Sequence, residues 1–76
     1  TGGAQKFIDD AADLGLDAYI SGEVSESTYH AAIERNIHYY AAGHHATERY
    51  GVQALAEAAA SELGLEPRYF ELDNPV

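Results

Sequence analysis

The chain has 76 residues, no cysteine and a formal net charge of −9, because 13 Asp and Glu residues outnumber four Lys and Arg residues. This length allows at most one small domain, and without cysteine any bound metal must be held by His, Asp, Glu or water. So acidic a chain repels nucleic-acid backbones and anionic membranes, and we expect neither as a partner.

Two interpretations of the acidity stay open. The carboxylates could adapt the protein to a high-salt cytoplasm, in which salt screens self-repulsion, or the protein could be an ordinary acidic one. The sequence contains no run of 18 apolar residues and no basic leader before an apolar stretch, which predicts a cytoplasmic location without a membrane span. The chain starts on a glycine-containing turn without a methionine, and we expect it to be a fragment.

The first half of the chain alternates between helix and strand patterns. Apolar residues recur at helical spacing over residues 4–14, which predicts an amphipathic helix. Residues 17–21, "DAYIS", are rich in strand formers and precede a glycine, which is typical of a short strand. A second helix is expected to begin at Ser25 or Ser27, either of which can cap it, and to run through Arg35.

The second half continues the alternation. Residues 37–42, "IHYYAA", form an apolar and aromatic segment, as in a strand that is covered on both faces. Residues 46–63 have the pattern of a long helix, with Leu55 and Leu63 on its inward apolar stripe. Residues 68–72, "RYFEL", alternate between polar and apolar side chains, which predicts a third strand.

Together these elements predict an α/β fold of order α-β-α-β-α-β. Strands separated by helices imply right-handed crossovers and a parallel or mostly parallel sheet with flanking helices, in a three-layer type of arrangement. A helix in such a fold normally follows a strand, but no strand precedes the first helix in this sequence. We therefore expect residues 1–76 to form about half of a larger α/β domain.

Three turns are expected at the ends of strands, at residues 1–3, 21–23 and 43–45. In a parallel sheet such turns share one edge and lead into helix N-termini that can bind ligands. The two glycines of the first turn could bring the backbone close to a phosphate or carboxylate, or could form an ordinary tight turn. Glu23 could orient a metal ligand or accept a proton, or could favour the start of the next helix, and its position alone favours the helix start.

His44 and Glu48 are the strongest candidates for metal ligands. They are four residues apart at the start of a predicted helix, so their side chains share one face and can reach the same metal cluster. A neutral imidazole with a carboxylate suits zinc, manganese or iron. His30 and Glu34 have the same spacing, so spacing alone is not specific. Location favours the first pair, because His44 directly follows a strand and a glycine.

The other histidines have less specific interpretations. His45 is expected to begin the helix or to orient a ligand, rather than to bind metal directly. His38 lies within a strand pattern, and we expect it to be at the surface or partly buried. His30 is near the start of a helix that follows residues 21–23, so it could reach the same edge as a residue that supports a ligand.

Four segments, "GGAQ", "DAYISGE", "GHHATERYGVQAL" and "FELDNPV", occur in this order. In this order they closely resemble the C-terminal portion of the GTP cyclohydrolase 1 type 2 homologue family, over essentially all 76 residues. The resemblance implies that His44 and Glu48 are metal ligands and that Glu48 bridges two divalent metal ions. It also implies that the other ligands, an adjacent His-His pair and an aspartate, come from an N-terminal part of a longer chain.

The resemblance further implies a function for the longer protein. By this resemblance the longer protein would be a dinuclear metal-dependent hydrolase, in which water activated by zinc, manganese or iron attacks a nucleotide such as GTP. The resemblance also implies a ring-shaped homo-oligomer. Residues 1–76 alone are then expected to be inactive. Two alternatives stay open: a metal-binding oligomeric scaffold without catalysis, and a chain that folds without binding anything.

Overall fold

The computed structural model of the protein describes residues 2–76. Over this range the chain begins with a single 3-10 turn at Gln5–Phe7 and then alternates between α-helices and β-strands. The elements are α1 at Ile8–Asp13, β1 at Ala18–Ser21, α2 at Glu26–Arg35, β2 at His38–Ala41 and α3 at His44–Leu63.

The two strands pair in parallel, with Tyr19 opposite Tyr39 and Ser21 opposite Ala41. The connection between them contains α2, because parallel neighbours cannot be joined by a tight turn. The α/β class and the parallel sheet expected from the sequence are therefore confirmed. Both strands end at the same edge of the sheet, and the turns toward α2 and α3 begin there.

A small core lies between the first two helices and the sheet. Ile8 and Ala11 of α1 are buried together with Ile37, the residue that precedes β2. Burying these apolar side chains is the main favourable term for this part of the fold. Partly buried side chains surround them: Ala12, Tyr19, Ala31, Ala32 and Tyr39.

The ends of α2 follow from local sequence. Ser25 is the N-cap, and a capping box forms in which the Ser25 side chain accepts from the backbone of Thr28 while the Thr28 hydroxyl accepts from the Ser25 N–H. This pairing satisfies backbone donors that would otherwise lack partners. At the other end, Asn36 adopts the left-handed conformation with φ of 51°, in which asparagine is better tolerated than most residues.

The long helix α3 begins two residues earlier than predicted. Gly43 is its N-cap, with φ of 90°, a conformation that glycine adopts without a steric penalty. The helix therefore begins at His44, not Ala46. This difference places both His44 and His45 in its first turn.

The prediction that α3 buries an inward apolar stripe is wrong for the described residues. No residue of α3 is buried, and Leu55 and Leu63 are each 70% exposed. The sheet ends at β2, so residues 2–76 offer this stripe no second layer, and the molecule measures 52 × 26 × 14 Å. Within this range, no helix is long and apolar enough to cross a membrane.

The predicted third strand at residues 68–72 does not form. A strand requires a partner for its backbone hydrogen bonds, and this segment pairs with neither β1 nor β2. It lies beside the start of α3 instead, where a carboxylate oxygen of Glu71 is 2.7 Å from Nε2 of His45. The backbone N–H of His45 also donates to the carbonyl oxygen of Val76 at 2.9 Å. Side-chain contacts and one backbone hydrogen bond, rather than pairing in a sheet, thus hold this segment against α3.

Candidate metal centre

The three predicted turns meet at the edge where the strands end. The Ser21 hydroxyl, at the end of β1, donates to the carbonyl oxygen of Gly2 at 3.2 Å. The N–H of Gly2 donates to Oε1 of Glu48 in α3 at 2.8 Å. These two bonds join the N-terminal turn to β1 and to α3. Thr1, the first residue of that predicted turn, lies outside the described residues.

Two glycines allow this close approach. A Cβ atom added at Gly2 would lie 2.6 Å from Cγ of the His44 ring. One added at Gly22 would lie 2.6 Å from the carbonyl oxygen of Gly2 and 2.9 Å from Cα of His44. Real Cβ contacts are not this short, so both positions need glycine because His44 and the backbone occupy the space. From the sequence, this glycine turn was expected to approach a phosphate or carboxylate, or to be an ordinary tight turn. In the structure, the His44 ring occupies the space beside Gly2.

The His44 ring lies between two carboxylates. Its Nδ1 is 2.6 Å from Oε1 of Glu23, and its Nε2 is 2.8 Å from Oε2 of Glu48. His44 and Glu48 share one face of α3, as their spacing predicts. Glu23 comes from the turn after β1, where the sequence favoured a helix-start role. The structure places it against the ring.

The carboxylates determine the protonation of His44 in the absence of metal. An ionised carboxylate can only accept hydrogen bonds, so each contact favours a proton on the ring nitrogen that it faces. The hydrogen bond to Glu23, followed by the one to Glu48, raises the pKa of His44 above its ordinary value. A metal ion binding at Nε2 must therefore displace a proton.

The donor atoms fit part of a metal site. Zinc binds nitrogen and oxygen at about 2.0–2.2 Å, so two tetrahedral ligands lie about 3.3 Å apart. Nε2 of His44 and Oε2 of Glu48 are 2.8 Å apart, and a small separation of the two side chains would admit an ion. Among residues 2–76, no group of three His, Asp or Glu side chains is arranged to hold a metal. Glu23 lies on the opposite ring nitrogen, so it does not add a third ligand.

The remaining histidines point elsewhere. His45 faces Glu71 and the C-terminal segment rather than the His44–Glu48 pair. His30 is exposed, and its Nε2 lies 3.8 Å from a carboxylate oxygen of Glu26 at the start of α2, so its described contact lies within its own helix. His38 is exposed, as expected, and it begins β2 at the end of the strand far from the site.

A cavity of about 650 Å³ opens beside the candidate ligands. Glu23, His44 and Glu48 contribute to its lining together with Arg49 and five residues of the C-terminal segment: Tyr69, Phe70, Leu72, Asn74 and Val76. Its size is within the range of small-molecule sites. The sequence analysis did not place the C-terminal segment here, because the alternation of "RYFEL" indicated a strand and no local pattern specifies packing against a helix start.

Hydrogen bonds hold the C-terminal segment, residues 69–76, in position beside the cavity. The Tyr69 hydroxyl donates to Glu71, and the His45 ring lies on its other carboxylate oxygen. Tyr69, followed by His45, lowers the pKa of Glu71. Nη1 of Arg49 is 3.5 Å from the same carboxylate. The ionised form of Glu71 is thus the one that keeps the segment against α3.

Comparison with known proteins identifies the family. The Duf34/NIF3 (NGG1p interacting factor 3) family matches residues 1–74. The chain belongs to the Duf34/NIF3 family. The family resemblance stated from the sequence motifs is therefore confirmed.

Members of this family with similar sequences carry the name GTP cyclohydrolase 1 type 2 homolog. The chain is 57% identical to the one from Pasteurella multocida (strain Pm70) and 59% identical to the one from Allochromatium vinosum, each over 75 residues. The protein from Escherichia coli (strain K12) is 53% identical. In each case the match covers 99% of this chain and 30% of the relative.

A solved structure described as protein ybgI, of unknown function, superposes with a TM-score of 0.87 and 52% sequence identity. The match covers 99% of this chain and 30% of that one. The chain thus spans about 30% of the length of its relatives. Its α/β unit corresponds to part of the larger structure.

Proposed function

We propose that this chain supplies His44 and Glu48 to a dinuclear metal centre of a hydrolase. The observation that supports this proposal best is the convergence of the two side chains, with Nε2 and Oε2 2.8 Å apart at the edge where both strands end. The remaining ligands would come from residues outside this chain. Zinc, manganese and iron all suit such donors.

The two carboxylate oxygens of Glu48 contact different groups. Oε2 faces the His44 ring, and Oε1 accepts the N–H of Gly2. A carboxylate fixed in this way presents two oxygens to different neighbours, and in the proposed centre Glu48 would bridge two ions. Bound divalent ions would lower the pKa of water and polarise the bond under attack.

The proposed substrate is a nucleotide such as GTP, opened by hydrolysis at the five-membered ring of the purine. The support is the name shared by the relatives, GTP cyclohydrolase 1 type 2 homolog. The 650 Å³ cavity beside His44 and Glu48 also has the size of a small-molecule site. The proposed assembly is a ring-shaped homo-oligomer, and the cytoplasmic location expected from the sequence stays a prediction.

A second candidate is a metal-binding oligomeric scaffold without catalysis. The exposed apolar side chains support the oligomeric part of this candidate, since large exposed apolar patches mark protein interfaces. Leu55 and Leu63 of α3 are 70% exposed, and Phe70 and Leu72 are 77% and 75% exposed. This surface is suited to burial against further protein, whether or not the metals catalyse a reaction.

The experiment uses the full-length protein that carries this sequence. Metal content is measured by mass spectrometry, and hydrolysis is followed with GTP and other nucleotides. His44→Ala and Glu48→Gln should each weaken metal binding and lower turnover by about 100-fold or more, the upper end of the range for residues that only support a ligand. His38→Ala, at an exposed histidine on β2, is the matched control and should change neither.

The outcomes separate the two candidates. Metal bound in stoichiometric amounts without turnover of any nucleotide would favour the scaffold. Protein without metal, together with hydrolysis that His44→Ala leaves unchanged, would exclude the proposed centre altogether.

A further inference from the structure

Glu23 contacts the nitrogen of His44 that the proposed metal does not use. Its Oε1 lies 2.6 Å from Nδ1, whereas Nε2 faces Glu48 on the other side of the ring. We propose that Glu23 is a positioning residue that fixes the orientation and tautomer of His44 for metal binding through Nε2. This inference rests on the proposed function, because it assumes that His44 is a ligand.

The backbone around Glu23 is held by the sheet. The Tyr39 hydroxyl, from β2, donates to the carbonyl oxygen of Glu23. Tyr39 packs beside Tyr19, its register partner on β1, with ring centroids 6.0 Å apart. The Tyr19 hydroxyl in turn donates to the carbonyl oxygen of Ala4 at 2.8 Å. One tyrosine from each strand thus ties down a segment that borders the site.

The ring of His44 is confined from other directions as well. The Cα of Gly2 lies beside the ring, and Gly22 approaches the backbone of His44. Because Gly2 and Gly22 confine the ring, the hydrogen bond between Glu23 and Nδ1 determines which ring edge faces Glu48. A positioning role needs this rigidity, since a mobile carboxylate would not define the ring orientation.

The chemistry of the pair favours Nε2 as the metal-binding atom. A neutral imidazole carries one proton, and a carboxylate at Nδ1 accepts it, which leaves the Nε2 lone pair for the metal. The negative charge of Glu23 also makes the imidazole a stronger donor to a cation. Glu23 itself stays on the far side of the ring from Glu48, so its contribution passes through His44.

The test compares two substitutions in the full-length protein loaded with zinc. Glu23→Gln keeps an oxygen that can accept the Nδ1–H but removes the charge, whereas Glu23→Ala removes both. The dissociation constant for zinc should rise by about 10–100-fold in Glu23→Ala and by less in Glu23→Gln. Glu26→Gln, at a glutamate beside the exposed His30, is the matched control and should leave the constant unchanged.

A spectroscopic measurement separates positioning from a general loss of structure. In ¹⁵N NMR spectra of the zinc-loaded protein, His44 should carry its proton on Nδ1 and zinc on Nε2. In Glu23→Ala the Nδ1 proton signal should exchange faster with solvent while the amide spectrum of the sheet is retained. Zinc on Nδ1, or zinc dissociation constants within twofold of the wild type for both variants, would overturn the inference.

The same titrations distinguish this inference from the proposed function. If His44→Ala and Glu48→Gln abolish zinc binding but Glu23→Ala does not weaken it, only the positioning role fails. If His44→Ala and Glu48→Gln leave zinc binding intact, the proposed centre fails, and the role of Glu23 fails with it.

Discussion

The imidazole of His44 occupies the space where a side chain at Gly2 would begin, with Cγ 2.6 Å from the position of an added Cβ. The N–H of Gly2 simultaneously binds Glu48, four residues further along α3. One glycine therefore contacts both candidate ligands. Its lack of a side chain and its backbone donor both contribute to their placement.

We predict that Gly2→Ala displaces the His44 ring and weakens zinc binding by the full-length protein about tenfold or more, as loss of ligand orientation does. Isothermal titration calorimetry measures the change. Gly51→Ala is the matched control, because an added Cβ there has no neighbour within 4 Å and alanine favours a helix interior. Equal zinc affinities in the two variants would contradict the steric role of Gly2.

Gly22→Ala should reduce stability more than metal affinity. An added Cβ would meet the backbone oxygen and Cα of Gly2 at 2.6 and 2.7 Å, and backbone atoms cannot rotate away as a side chain can. We expect the free energy of unfolding to fall by about 1–3 kcal/mol, as in other overpacked sites. Urea denaturation measures it, and a loss below about 0.5 kcal/mol would indicate that the turn relaxes easily.

Much of the fold follows from sequence pattern, and the exceptions have a common cause. The first five elements and their parallel pairing were predictable because hydrophobic periodicity and glycine boundaries are local signals. The exposure of Leu55 on α3 was not, because a periodic pattern shows which face is apolar without showing whether anything covers it. The segment at 68–72 alternates like a strand, but its structure depends on a partner that residues 2–76 do not provide.

The candidate site was predictable in part for a similar reason. Helical spacing brings His44 and Glu48 together, and the structure shows them in contact. Glu23 is 21 residues from His44, and only the parallel register of β1 and β2 brings its turn to the same edge. The sequence does not show how close Glu23 lies to His44 in space. From its position alone, Glu23 was therefore expected to favour the start of a helix rather than to contact His44. Metal binding by the pair stays a prediction.

The metal-free protein should show a pH-dependent stability that depends on His44. Its pKa is raised in the folded state by Glu23 and then by Glu48, so the charged ring stabilises the fold below the ordinary histidine pKa of about 6.5. This contribution should be lost as the pH rises through the higher folded pKa. NMR titration of the His44 ring protons measures the pKa of His44 in the folded protein, and Glu23→Gln should lower this pKa. A His44 pKa at or below the ordinary value would contradict the geometry.

The C-terminal segment should detach from α3 in acid. Hydrogen bonds from Tyr69 and then His45 lower the pKa of Glu71 below its ordinary 4.5, so their stabilisation is present above that pH and is lost as the pH falls through the lowered value. Glu71→Gln should mimic this loss at neutral pH. The readout is hydrogen exchange at the amide of His45, which donates to Val76. Glu66→Gln, at an exposed glutamate 3.9 Å from Arg68, should leave that exchange rate unchanged.

Tyr39→Phe tests whether the sheet supports the site through the carbonyl oxygen of Glu23. The substitution removes the hydroxyl that donates to this carbonyl and keeps the ring that packs beside Tyr19. We expect a loss of about 1 kcal/mol in the free energy of unfolding, the usual net contribution of one hydrogen bond. Zinc affinity should fall as well, because the turn that carries Glu23 becomes less constrained. Tyr40→Phe, at a neighbouring residue that is 58% exposed, is the control, and equal zinc affinities in the two variants would show that Glu23 is positioned without help from β2.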